Sequence, residues 1–157
     1  MLYRLRRHPL PISAFFTHSL VLTYAYPAKM LQELLPPGLT VDTYGDYGFI
    51  AIAMVQTRQL HPAFLPAAVG VDFFLTGYRV FTRFAAKLSL RGLRILRSDT
   101  DRRLMAVGGN LLTHYGYVHC EAAMKVDGDH LRVTVRSPGA AADLDVVADL
   151  SSRPAPL

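Results

Sequence analysis

The stretch at residues 115–136, YGYVHCEAAMKVDGDHLRVTVR, alternates in side-chain character along most of its length and is interrupted once, at Asp127-Gly128. Asp-Gly between two alternating runs is a strong hairpin signal, because glycine accepts the positive φ that a tight turn requires. The expected strands are 115–126 and 131–136, with Met124 opposite Leu131, Ala122 opposite Val133 and Cys120 opposite Val135. Those six side chains share an apolar face. The opposite face carries Tyr115, Tyr117, His119, Glu121 and Lys125 against His130, Arg132, Thr134 and Arg136. A slip of one residue would exchange the two faces, so the pattern specifies which side of the sheet is buried.

The same logic extends to the rest of the chain. Residues 20–26 are rich in β-formers. In 27–35, Pro27 suits the start of a short helix, and Met30, Leu31, Leu34 and Leu35 form one stripe before Pro36, Pro37 and Gly38 stop it. Residues 39–44 and 47–55 read as strands around Gly45-Asp46, a glycine-first hairpin turn. YGFIAIAMV is apolar on both faces, which predicts a strand buried on both sides. Residues 61–70, with Pro62 and Pro66, read as a loop. Further strands are expected at 72–84 and 88–97, turning near 85–87 or at Arg91-Gly92. After them a short helix can start, capped by Ser98 or Asp99. Gly108 and Gly109 would weaken it by about 1 kcal/mol each relative to alanine, so their expected use is a close approach of backbone. Many strands and few helices predict a mainly β (α+β) fold. Its expected form is a curved antiparallel sheet, closed into a barrel or half-barrel and flanked by short helices.

Composition sets the outer bounds. The 157 residues suit one domain, and with 51% hydrophobic and 18% charged residues the chain can fill a core. No apolar run reaches the roughly 18 residues of a membrane helix, so no membrane partner is expected. A single cysteine makes no internal disulfide and agrees with a reducing, cytoplasmic setting. The net charge of +5 is concentrated in Arg79, Arg83, Lys87, Arg91, Arg94, Arg97, Arg102 and Arg103. Because these alternate with apolar residues, they read as the solvated faces of strands rather than as a nucleic-acid groove.

The histidines, tyrosines and cysteine of residues 108–120 invite a chemical reading, and alternation restricts it. On one unbroken strand His114 and Cys120 share a face while His119 lies on the other, a poor arrangement for a metal, and no Cys/His zinc spacing occurs. Neighbours His119 and Cys120 point apart, so Cys120 reads as a buried structural thiol rather than a nucleophile. Neither a G-x-S-x-G elbow nor a phosphate or dinucleotide loop is present, and no cofactor is implied. His114 is the ionisable residue of the apolar face. Such a histidine is ordinarily a hydrogen-bonded core residue, but beside a cavity it could bind a ligand or move a proton.

Two stretches, LLPPGLTVDTYGDYGFIAIAMV and RSDTDRRLMAVGGNLLTHYGYVHCEA, resemble the uncharacterised YqjF-like proteins of the acetoacetate decarboxylase-like superfamily. The resemblance spans about residues 15–137. It implies a cone-shaped barrel of antiparallel strands around a ligand cavity. It does not carry the decarboxylase chemistry across, which needs a lysine beside a second lysine. The corresponding strand here, THYGYVHC, has no lysine, and Lys29, Lys87 and Lys125 have no lysine neighbours. The acid that relatives often carry shortly before the arginine matching Arg79 is missing from FFLTGYR. Members usually continue beyond the point where this sequence ends, so either a short member or an incomplete barrel is expected, and an incomplete barrel would leave an exposed sheet edge. The resulting expectation is a cavity protein for a small carbonyl or carboxylate compound. Arg79 would hold the anionic group, and His114, Tyr115 and Tyr117 would supply polar contacts. The alternative is a non-catalytic sensor or homodimer that associates through its sheet edge.

Overall fold

A computed structural model describes residues 11–112 and 116–151. The chain is mainly β. Strand β1 (Ile12–Pro27) leads into helix α1 (Ala28–Gln32), the short strands β2 (Leu39–Val41) and β3 (Thr43–Tyr44), and the long strand β4 (Tyr47–Pro62). Strands β5 (Val71–Phe84) and β6 (Lys87–Thr100) follow, then helix α2 (Arg103–Leu112) and strand β7 (Tyr117–His119). The last elements are β8 (Glu121–Asp127), β9 (His130–Arg136) and β10 (Leu144–Asp149).

These strands form two sheets. The larger has the order β1-β4-β5-β6-β7, with β2 beside the end of β5 and β3 paired to β4. The smaller has the order β10-β9-β8. Among the described residues the larger sheet stays open, with β1 and β7 as its outer strands. It is antiparallel except at β7, which runs parallel to β6 with Tyr117 beside Ser98. The connection that permits this is α2, which carries the chain back before β7 begins.

The glycine-first turn at Gly45 is present, with φ of 58° and Tyr44 paired to Tyr47. The final hairpin also forms, but its register is displaced by two residues from the expected one. Met124 pairs with Val133 and Ala122 with Val135, and the turn residues are Gly128-Asp129, flanked by Asp127 and His130. A two-residue shift preserves alternation, so the same side chains still face inward. The expected strand 115–126 is in fact split at Cys120: β7 belongs to the large sheet and β8 to the small one. Cys120 marks the crossing, its backbone N–H donating to the Thr100 carbonyl at 2.9 Å. Ser98 and Asp99 lie within β6 rather than capping a helix, and α2 starts only at Arg103. Pro27 ends β1 and occupies the helix N-cap rather than the first helical position.

The core lies on one face of the large sheet. Met54 and Phe74 meet Leu131, Val133, Val135 and Cys120 from the other side, with Leu20, Leu22 and Ile52 around them. Further along that face, Leu31 of α1 packs with Val41 and Val80. Each large apolar side chain buried there contributes about 1.5–3 kcal/mol. Among the described residues no second sheet lies over the opposite face, and the candidate site is there.

The turn can be tested directly. Gly128 has φ of 55° and open space around its missing Cβ, so a substitution meets backbone strain rather than a clash. Gly128→Val should cost about 1–2 kcal/mol in urea unfolding and Gly128→Asn distinctly less, since asparagine tolerates this conformation. Equal midpoints for the two variants would contradict the turn.

Candidate ligand-binding site

Along β5, Leu75, Gly77, Arg79 and Phe81 share the uncovered face, because strand side chains alternate. On β4 their neighbours are small: Ala51 pairs with Arg79 and Ala53 with Gly77. A hollow of about 250 Å³ is lined by Leu75, Arg79, Leu93, Ile95, Ser98 and Tyr117. A Cβ on Gly77 would stand 3.0 Å from Arg79 Nε, so the absence of a side chain there lets the guanidinium lie flat over the strand. Arg79 Nε is buried without a hydrogen-bond partner, and no described carboxylate forms an ion pair with this arginine. Its neighbours in the basic run are engaged differently. Arg83 and Arg91 both hold Asp42, at 2.6 and 3.2 Å, and Arg97 holds Asp99 at 2.6 Å.

Tyr117 reaches the hollow through local devices in the preceding helix. The Asn110 side chain donates to the Tyr117 carbonyl at 2.8 Å and accepts from the Tyr117 N–H at 2.7 Å. A Cβ on Gly109 would fall 2.4 Å from the Tyr117 ring, so glycine there lets the ring press against α2. The expected close approach is therefore real at Gly109. Gly108 has nothing within 4 Å.

Arg79 and Tyr117, both anticipated as ligand contacts, thus line one hollow. His114 and Tyr115 lie outside the described residues. Ser98 was missed as a lining residue because its place between Arg97 and Asp99 suggested a helix cap. In β6 it pairs with Gly77 and so shares the face of Arg79. A second hollow of about 290 Å³ on the same face is lined by Thr23, Thr43, Tyr44, Phe49 and Phe81, with Asp42 and Arg91 at its margin.

The covered face carries polar groups of its own. Asp99 is fully buried, and burial lifts its carboxyl above the usual range even with the Arg97 guanidinium against it. Asp99 Oδ2, Arg97 Nη2 and Thr76 Oγ1 are buried without partners. Tyr78 donates to the Ala142 carbonyl at 2.9 Å, and burial, reinforced by the charge of Asp99, raises its phenol. Cys120 is 3% exposed, and burial with the nearby Asp99 and Asp101 charges pushes its thiol up to about 12. Lys29, Lys87 and Lys125 are all exposed, and none lines the hollow.

This arrangement of strands is shared with enzymes of known structure. Acetoacetate decarboxylase from Legionella pneumophila superposes with a TM-score of 0.66 at 16% identity, over 93% of this chain and 51% of that one. The enduracididine biosynthesis enzyme MppR, solved with pyruvate, gives a TM-score of 0.61 at 13% identity, over 83% of this chain and 54% of its own. An acetoacetate decarboxylase-like enzyme from Sphingomonas wittichii RW1 gives 0.61 at 14% identity, over 82% and 53%. The chain therefore has the acetoacetate decarboxylase-like fold and spans about half the length of these relatives. By sequence it belongs to the DUF2071 family of uncharacterized conserved proteins, which it matches over residues 14–156. It is similar to the uncharacterized protein YqjF of Bacillus subtilis, 24% identical over 102 residues, 64% of this chain and 41% of YqjF.

The raised thiol of Cys120 gives a pH prediction. Its pKa of about 12 leaves roughly 0.01% thiolate at pH 8, against about a quarter for an ordinary cysteine. Native protein should react with a disulfide reagent at pH 8 at least about a hundredfold more slowly than protein unfolded in guanidinium. Comparable rates in the two states would place the thiol in solvent.

Proposed function

We propose that this domain binds a small carboxylate-bearing molecule on the uncovered face of its large sheet, with Arg79 as the anion anchor. The observation that carries the reading is an arginine without an acidic partner among the described residues, its Nε buried, in a hollow whose other lining is apolar or hydroxylic. A guanidinium keeps its charge at any physiological pH and presents paired donors that match a carboxylate. The Tyr117 phenol and the Ser98 hydroxyl supply directional contacts to a second polar group, such as a carbonyl. His114 and Tyr115 enter as further polar contacts, His114 as the group able to move a proton. The pyruvate complex of MppR supports a ligand of this size in a related fold. The expected result in thermal unfolding is a midpoint that rises with 2-oxo acid concentration in the wild type, because a ligand selective for the folded state stabilises it. Arg79→Gln should abolish that rise. A ligand-induced rise retained in Arg79→Gln would refute the anchor.

The chemistry in the proposal excludes a lysine Schiff base. Each of the chain's lysines is exposed, whereas an amine that is neutral near pH 7 needs desolvation or an adjacent cation. Borohydride reduction in the presence of acetoacetate should leave the intact mass unchanged. A substrate-dependent adduct on Lys29, Lys87 or Lys125 would overturn this.

A second reading rests on β1. This strand has 16 residues without a Lys, Arg, Asp or Glu, and it lies at the outer edge of the large sheet. Uncharged long edges favour pairing with another strand. In this reading the domain is a homodimerising module, and light scattering across the micromolar range distinguishes a dimer from a monomeric binding domain.

A further inference from the structure

The two hollows share one face and adjoin along β5, and Phe81 joins them. Arg79 in the first and Phe81 in the second are two residues apart on that strand, so both project to the same side. Leu93 lines the first hollow and pairs with Phe81 of the second. Beyond Phe81 stand Phe49 and Tyr44. Phe81 and Leu93 are 36% and 48% exposed, which leaves a run of apolar surface leading away from the guanidinium. The two arginines there, Arg83 and Arg91, share the single carboxylate of Asp42, so each already has an acidic partner.

We infer that the ligand is a medium-chain aliphatic monocarboxylate, with its carboxylate on Arg79 and its tail crossing Leu93 and Phe81 toward Phe49. This rests on the anchor role of Arg79 argued above and extends it to the class of ligand. The charge pattern places the anionic end at Arg79, which has no acidic partner among the described residues, whereas the arginines beside the second hollow already contact Asp42. From Arg79 to Phe81 is about 7 Å along the strand and about 5 Å more across to its neighbour, the reach of a chain of about eight to ten carbons. Burying successive methylenes on a half-open surface should strengthen binding by about two- to fourfold each.

Calorimetric titration of the full chain with acetate, butanoate, hexanoate, octanoate and decanoate tests the inference. Affinity is expected to climb about two- to fourfold per methylene and to level off near eight to ten carbons. Octanol, which lacks the carboxylate, should bind at least about tenfold more weakly than octanoate. Phe81→Ala should reduce the ratio of octanoate to butanoate affinity, and Leu93→Ala, at a more exposed position, should do the same without loss of fold. Arg79→Gln should weaken every member of the series. Affinities that depend on Arg79 but stay flat from butanoate to decanoate would overturn the tail assignment and leave the anchor standing. Octanoate and octanol binding equally, with Arg79→Gln unchanged, would overturn both. An octanoate-to-butanoate ratio unaltered in both Phe81→Ala and Leu93→Ala would also remove the tail assignment.

Discussion

Everything in this molecule depends on the two-residue repeat of β4 and β5. Met54, Phe74 and Val80 point to one side of the large sheet and are fully buried there. Ala51, Ala53, Gly77 and Arg79 point to the other. A slip of one residue in either strand would carry the large apolar side chains to the uncovered face and the guanidinium into the core. At about 1.5–3 kcal/mol for each large side chain, such a slip would remove a substantial part of the stability of a domain this size. The hollow follows from the same repeat. The same repeat sends Leu75 and Arg79 to the other side, where Leu93, Ile95, Ser98 and Tyr117 complete the lining.

The bulge in β6 divides the next strand between the two sides. Tyr78 pairs with Arg97 and Arg79 with Ile95, so one residue of β6 is extra. That residue, Leu96, packs with Val80 in the core beneath α1, while Ile95 lines the hollow. Downstream of the bulge, Arg97 and Asp99 again share a side, the one covered by the second sheet. Burying this pair is costly in itself, and removal of either partner would leave an uncompensated charge in a layer that already holds three unpartnered polar atoms. The two charges lie two residues apart on one strand and pair with each other, so they move together: a one-residue slip of β6 would carry both to the other side of the sheet.

Much of this was legible in the chain. Alternation revealed the final hairpin, glycine-first chemistry the Gly45 turn, and an apolar run on both faces the central strand 47–55. Tyr117 came forward on the polar face of the expected hairpin, and Arg79 through the basic run and the family resemblance. What escaped it shares a cause, namely that strand pairing is not local. Nothing between Tyr117 and Glu121 signals that the chain changes sheets at Cys120, since the alternation runs on through the crossing. The turn residues were set one position early because Asp127-Gly128 and Gly128-Asp129 are equally good local sequences, and only pairing along both strands decides between them. Asp99 was read as a helix cap. The spacing of Arg97 and Asp99, two apart and so on one side of a strand, was the available sign of an ion pair. Strand β10 alternates as well, with Leu144, Val146 and Ala148 against the core and Asp145 and Asp149 outward, but six residues after an alanine-rich turn make a weak signal.

The chain has the acetoacetate decarboxylase-like fold while its own lysines stand in solvent, and the proposed anchor differs in kind from a Schiff-base lysine. A Schiff-base lysine must lose its proton to act, so its site has to be hostile to positive charge. Arginine in proteins does not lose its proton, and the same uncovered face serves it by the opposite property: low polarity around a permanent cation strengthens its attraction for an anion. An apolar hollow with one cation therefore selects for charge at one end of a molecule and hydrocarbon at the other. It supplies no electron sink for carbon–carbon cleavage. The proposed anchor and the packed core thus draw on the same strand repeat, which sends Arg79 to one side of β5 and Phe74 and Val80 to the other.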